Sequence, residues 1–275
     1  MPLLLKTLNC ITKKQGNMKN GYAIVTGASS GIGLEFAKIL AKKGYNLILV
    51  ARRTDRLEIL KAAIAKDNAE TDIHLISLDL SLTDSPDKLL AYAQEHKLII
   101  SILINNAGFG TAGEFLALPI DKTLEMLQLN IVTLTKLTYL FGNEMKKNKS
   151  GYILNVSSVG AFQPSPYFAA YSATKSYVML FGEALDFELK GSNVSVTTLY
   201  PGATRTEFFE VSNTKVNSTV ERMLMTSESV ANIGLAAMFK RKRAIVPGVP
   251  NKISTVLVSL IPRKLAILIA ANVMK

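Results

Sequence analysis

The chain has a single cysteine, Cys10, two histidines, His74 and His96, and no tryptophan. One thiol excludes an intramolecular disulfide and a multi-cysteine metal site, and it suits a reducing, cytoplasmic compartment. Two histidines leave almost nothing for a zinc-dependent or Ser-His-Asp mechanism, so no metal is expected. Long apolar runs are missing: none reaches the roughly 20 residues of a spanning helix. Leu3-Leu4-Leu5 is too short for a signal-peptide core, so secretion is not expected. Acidic residues are absent from both ends. All 21 fall between Glu35 and Glu228, whereas residues 1–20 carry four lysines and residues 240–275 eight Lys/Arg. The net charge of +11 therefore belongs to the ends, and the near-neutral body offers no basic face for nucleic acid.

What is present reads as globular. Of 275 residues, 48% are hydrophobic and 19% charged, enough to bury one large α/β core. From Gly21 the pattern alternates strand and helix. Strands are expected at Tyr22–Val25, Asn46–Ala51, Ile73–Leu78, Leu98–Ile104, Tyr152–Val156, Val194–Leu199 and about Ala244–Val246. Helices are expected over Leu34–Lys43, Thr54–Lys66, Asp87–Gln94, about Asp121–Glu144, and from the Tyr171 region to about Leu189. Strands alternating with helices of this length imply a doubly wound parallel sheet covered on both faces. With no internal repeat and no linker, the expected organisation is an N-terminal extension (1–20), one α/β domain (21–250) and an apolar, basic tail (251–275). Met18 stands just before the first strand, so residues 1–17 read as a frayed extension or an upstream start.

Thr26-Gly27-Ala28-Ser29-Ser30-Gly31-Ile32-Gly33 lies between the first strand and the first helix. Glycines there permit a tight turn, a close backbone approach to a pyrophosphate and close helix–strand packing, while the helix start offers free N–H groups. In the first strand–helix turn of a parallel sheet, such a turn is expected to bind a dinucleotide. The second strand ends in Ala51-Arg52-Arg53, with no carboxylate to bind a ribose 2′-hydroxyl. Guanidinium groups favour a 2′-phosphate instead, hence NADPH; two solvated loop arginines are the alternative. Asp79 and Leu80 close the third strand, with Asp79 placed to meet the adenine amino group.

Tyr171-Ser172-Ala173-Thr174-Lys175 sets a tyrosine and a lysine one helical turn apart, where their head groups can meet. An ammonium beside a phenol lowers the tyrosine's pKa from about 10, which makes Tyr171 a candidate general acid/base. About one such pair arises by chance in a chain with this many tyrosines and lysines, so an ordinary surface pair also fits.

In order, these segments resemble the short-chain dehydrogenase/reductase family over about residues 20–250. Thr26–Gly33 is similar to its glycine motif, and Asn105-Asn106-Ala107-Gly108 to the motif closing the fourth strand. Asn130 matches the family's helix asparagine. Ser158, thirteen residues before Tyr171, matches the catalytic serine, with Ser157 in reserve, and Tyr171 with Lys175 matches the active pair. Pro201-Gly202, with Thr204 and Thr206, is similar to the loop that holds the nicotinamide carboxamide. The resemblance implies a single-domain Rossmann-type fold, an NADPH/NADP+ cofactor, a small carbonyl substrate and a homodimer or homotetramer. It implies that Tyr171 protonates the substrate oxygen, Ser158 polarises it, Lys175 tunes the phenol and holds the nicotinamide ribose, and Asn130 holds a water linking Lys175 to solvent. Ser158 as a turn cap and Asn130 as a backbone partner are the structural alternatives. A protein that senses the nucleotide without turnover is the alternative function.

Substrate choice is expected in the loops at the carboxyl ends of the strands. The segment about Thr204–Met225 reads as a lid contributing Phe208, Phe209, Met223, Leu224 and Met225, facing Phe162, Pro164 and Phe168. Leu49-Val50-Ala51-Arg52-Arg53, Asn155-Val156-Ser157-Ser158 and the Pro247-Gly248 and Pro262-Arg263 tail resemble a bacterial-type subgroup close to 3-oxoacyl reductases, which makes a 3-oxoacyl ketone the first substrate expectation and a steroid or other lipophilic ketone the second. Beyond it, Ile253–Ile261 and Leu265–Met274 are apolar runs broken by Pro262-Arg263-Lys264. They read either as a hairpin packed on the domain or as a cationic patch in peripheral contact with a membrane.

Overall fold

The computed structural model describes residues 21–212 and 224–274. The N-terminal extension and Met223 lie outside them. The chain runs β1 (Tyr22–Thr26), α1 (Gly31–Lys42), β2 (Asn46–Ala51), α2 (Thr54–Asp67), β3 (Ile73–Ser77), α3 (Ser85–Glu95) and β4 (Ile100–Asn105). Then follow α4 (Ile120–Leu127), a π-helical turn (Gln128–Thr133), α5 (Leu134–Lys147), β5 (Gly151–Val156), α6 (Ala169–Glu188) and β6 (Val194–Leu199). The last third holds β7 (Thr204–Arg205), α7 (Phe208–Val211), β8 (Met225–Thr226), α8 (Ser227–Phe239), β9 (Ala244–Ile245), α9 (Val249–Leu260) and α10 (Arg263–Met274).

Seven strands form one parallel sheet in the order β3-β2-β1-β4-β5-β6-β9. Side-chain alternation splits its core in two. Val25, Leu47, Leu49, Ile102 and Leu154 pack with Phe36 and Leu40 of α1, Leu57 of α2, and Val230 and Met238 of α8. Ile24, Ile48, Val50, Leu103 and Ile153 face the other way, onto Leu89 of α3 and Leu137, Phe141 and Met145 of α5. Both faces are covered, so the strands read as continuous apolar runs. The chain reverses direction across the sheet between β1 and β4, which opens a crevice beyond the carboxyl ends of the strands.

Three departures from the expected elements bear on the site. α1 starts at Gly31, inside the glycine turn, so the unpaired N–H groups of its first turn face the crevice. The expected continuous helix over 121–144 is broken by the π-helical turn, which bulges out around Asn130. One inserted residue hardly disturbs hydrophobic periodicity, so the sequence pattern conceals it. β7 and β8 pair in parallel, Thr204 with Met225, and tie together the two ends of the expected lid.

Candidate active site

Gly27 and Gly31 have φ of +66° and +56°, the left-handed region open to glycine, so the chain turns tightly out of β1. A Cβ on Gly33 would lie 2.3 Å from the Gly27 carbonyl oxygen, so α1 can sit this close only without a side chain. Asn106 holds the turn from across the crevice, its Nδ2 donating to the carbonyls of Thr26 (2.9 Å) and Gly27 (3.3 Å). Thr26 itself turns inward. Its hydroxyl donates to Ile104 O and accepts from the Asn106 and Ala107 amides, so it staples β1 to the end of β4 and is spent on structure.

A cleft of about 850 Å³ runs from this turn to Tyr171. Gly27, Ser29, Ser30, Gly31 and Ile32 line it at the turn; Arg52, Arg53, Asp79 and Leu80 at the strand tips; Asn106, Ala107 and Gly108 after β4. Pro201, Gly202, Thr204 and Thr206 line the far wall. Thr26, Gly33 and Asn130, also expected at the site, do not reach its surface. The cleft's size, the free helix N-terminus and the guanidinium groups fit a phosphorylated dinucleotide.

The two arginines after β2 behave differently. Arg52 is turned outward, 3.6 Å from Glu125 and 3.9 Å from Asp79. Arg53 reaches across the turn and donates to Ser29 Oγ and Ser30 Oγ, both at 3.1 Å. Asp79 accepts from the Ser81 amide and hydroxyl (2.9 and 2.7 Å). Those bonds and the neighbouring Arg52 outweigh partial burial and hold its carboxyl below the usual range.

At the other end, α6 lies directly on β6, where a Cβ on Gly182 would be 2.3 Å from Thr198 Oγ1. This contact brings Tyr171 and Lys175 to the strand tips. Lys175 is buried and its Nζ donates to Val156 O at 3.0 Å, while lying 5.7 Å from the centre of the Tyr171 ring. The head groups are therefore neighbours without a direct bond. Burial pushes the Tyr171 phenol up to about 12, against a downward pull from its hydrogen bond with Ser158. Burial likewise pulls the Lys175 ammonium down to about 8. The expected lowering of the tyrosine by its lysine is absent here because desolvation dominates and Lys175 is engaged with a carbonyl.

The adjacent serines separate cleanly. Ser157 Oγ donates to Lys175 O at 2.7 Å, deep in the core, whereas Ser158 Oγ faces Tyr171 and accepts from the Gly160 amide at 3.1 Å. Asn130 is locked: its Nδ2 donates to Phe109 O (2.9 Å) and Thr174 Oγ1 (3.1 Å), and its Oδ1 accepts from the Phe109 amide (3.2 Å). Its side chain thus clamps the post-β4 loop to α6, beside Gly108 and Lys175.

Over Tyr171 sit Phe168 and Phe208, ring centres 5.8 and 5.3 Å away. The cleft wall also takes Phe109, Gln163, Ser165, Thr255, Val258 and Ile269, which sequence reasoning missed. Ser165 is buried and its Oγ has no hydrogen-bond partner among the described residues. Val258 and Ile269 come from α9 and α10, so the tail roofs the cleft. Ala266 and Ala270 are buried and Asn251 packs against Gly202, so the tail packs on the domain. The apolar faces turned away from the domain were the available sequence signal, but amphipathicity does not say what an element packs against.

Residues 21–217 match the family model for short chain dehydrogenases. The chain belongs to that family. It is 34% identical over 194 residues to a very-long-chain 3-oxoacyl-CoA reductase of Kluyveromyces lactis, covering 67% of this chain and 55% of that one. Human 17-beta-hydroxysteroid dehydrogenase type 3 is 32% identical over 219 residues, covering 78% of this chain and 69% of the relative. The chain thus spans little more than half the length of the yeast relative. Among solved structures, a short-chain dehydrogenase from Sphingobium yanoikuyae in complex with NADPH is 28% identical, with a TM-score of 0.78 over 88% of this chain and 96% of that one.

Proposed function

We propose that this chain is an NADPH-dependent oxidoreductase that reduces a ketone on a lipophilic, 3-oxoacyl-type substrate, with Tyr171 as the proton donor. The observation that carries this reading is the buried Tyr171 phenol, facing Ser158 and backed by Lys175, at the end of a dinucleotide-sized cleft. Bound NADPH would supply hydride to the carbonyl carbon. The glycine turn and Arg53 would hold its phosphates, and Thr204 and Thr206, which line the cleft, would hold the nicotinamide end. A phenol with a pKa near 12 is fully protonated at neutral pH, so it is ready to donate to a substrate oxygen. Ser158 donates a second hydrogen bond to that oxygen as charge develops. The Lys175 ammonium stabilises the phenolate left behind, and with its pKa near 8 it can return a proton. Asn130 acts by position, fixing Gly108 and the loop beside Lys175.

Lipophilicity is supported by the Phe109, Phe162, Phe168, Phe208 and Phe209 walls and by the names of the relatives, one a very-long-chain 3-oxoacyl-CoA reductase and the other a hydroxysteroid dehydrogenase. Ser165, on the cleft wall, supplies an unpaired hydroxyl for a second substrate oxygen. Peripheral membrane contact is assigned to the hairpin, where Leu257, Leu260 and Leu268 are 55%, 74% and 63% exposed and Lys252, Arg263 and Lys264 flank them. Among the described residues no helix is long and apolar enough to cross a membrane. Self-association is assigned to α5 and α6, which expose Tyr139, Leu180 and Phe187.

The test is NADPH oxidation over a panel of 3-oxoacyl thioesters, steroids and simple ketones, with Tyr171→Phe as control. We expect turnover on an apolar ketone and a fall of at least about 10²-fold in Tyr171→Phe. Turnover indifferent to that change would remove the mechanism. Tight NADPH binding without turnover on any ketone would replace the enzyme by a nucleotide sensor.

A further inference from the structure

Three guanidinium groups and three carboxylates meet where the cleft ends beyond β2. Arg52 faces Asp79 and Glu125; Arg53 and Arg56 both pair with Glu207, the Arg53 contact at 2.9 Å. Each guanidinium already faces a carboxylate, so a phosphate dianion gains little there until one acid withdraws. Asp79 is pinned by Ser81, and Glu125 is held on α4 by Lys122 at 2.7 Å. Glu207 differs. It sits in the short stretch between β7 and α7, and among the described residues its side chain accepts hydrogen bonds from those two arginines. Its carboxyl is held below the usual range, by Arg56 first and Arg53 next.

Arg53 meanwhile keeps its other terminal nitrogen on Ser29 and Ser30. Its guanidinium is thus held over the glycine turn whether or not Glu207 is present. Two planar forks, two serine hydroxyls able to donate, and one carboxylate plugging them make a phosphate site filled from within.

We infer that Glu207 is a built-in surrogate for a ribose 2′-phosphate: the phosphate displaces it from Arg53 and Arg56 and so releases the 204–212 segment that Glu207 latches. This rests on the reading that the cleft takes a 2′-phosphorylated dinucleotide. A phosphate prevails over a carboxylate because it brings up to two charges and a third acceptor oxygen, while Glu207, partly exposed, moves to water at little cost. The next residue, Phe208, lies against the Tyr171 ring, tilted at 50° with ring centres 5.3 Å apart. Release of Glu207 therefore loosens the wall over the reacting centre, and a nucleotide without the 2′-phosphate leaves that wall latched.

The experiment uses adenosine 2′,5′-bisphosphate and adenosine 5′-monophosphate, which lack a nicotinamide, on the full chain. By calorimetry, Glu207→Gln should bind the bisphosphate about fivefold more tightly, the scale of an exposed ion pair removed, with the monophosphate unchanged. Glu207→Ala should behave alike. By hydrogen exchange, the bisphosphate should speed exchange over residues 204–212 in the parent, the monophosphate should not, and both variants should exchange fast without ligand. Unchanged or weaker bisphosphate binding in both variants would overturn the proposal, as would exchange over 204–212 that the bisphosphate slows or leaves alone. Equal affinity of the parent for the two nucleotides would instead remove the 2′-phosphate reading, and the surrogate with it.

Discussion

Tyr171 and Lys175 show how far a spacing rule reaches. Four residues on a helix bring the two side chains to one face, but Lys175 spends its proton on Val156 O and burial sets both pKa values. Stability should record this. Folding lowers the Lys175 pKa from 10.5 to about 8, so between those values the unfolded chain binds more protons and stability rises with pH. Folding raises the Tyr171 pKa from 10.0 to about 12, so above pH 10 the folded chain holds the extra proton and stability falls towards pH 12. Lys175→Met should remove the first effect. We expect it to be inactive yet up to about 3 kcal/mol more stable at pH 7, with the gap narrowing towards pH 10 in urea titrations. A gap independent of pH would mean that Lys175 is not desolvated as described.

At the scale of elements, the C-terminal hairpin does two things with two faces. Ala266, Ala270 and Thr255 are buried against the domain, and Val258 and Ile269 reach the cleft. The opposite face keeps Ile253, Leu257 and Leu260 in solvent, on a segment (240–275) whose charged residues are all lysines and arginines. An apolar face with a cationic rim suits an anionic bilayer surface. The chain should float with phosphatidylserine vesicles at low salt and less at high salt. Leu257→Glu with Leu260→Glu should cut flotation at least about tenfold, since both changes put charge where apolar surface enters the interface. Flotation equal in parent and variant would end the membrane assignment.

For the whole molecule, the described chain leaves a second apolar surface without a partner. Leu180 and Phe187 of α6 are 68% and 69% exposed and Tyr139 of α5 is 69% exposed, on two helices joined by a Thr135–Tyr177 hydrogen bond. Exposed large side chains grouped on adjacent helices mark an association surface. Light scattering should therefore find more than one chain per particle, and Leu180→Glu with Phe187→Glu should yield single chains that still bind nucleotide. A parent that is already a single chain would remove the assignment.

The sequence by itself determined the sheet, because strands buried on both faces must be apolar throughout and the helices between them must be amphipathic. It also determined the glycine turn, since positive φ at Gly27 and Gly31 is written in the residue type, and it brought out Ser158, Tyr171 and Lys175 through their order along the chain. Only the tertiary structure decided which way side chains point at the strand tips. Thr26 turns into the core, Arg53 lies over the turn where Arg52 does not, and Asn130 clamps a loop. Glu207 finds Arg53 across 154 residues of sequence, and α9 and α10 close over a cleft built mostly upstream of them. Those choices depend on partners distant in sequence, and no local pattern of residue types specifies them.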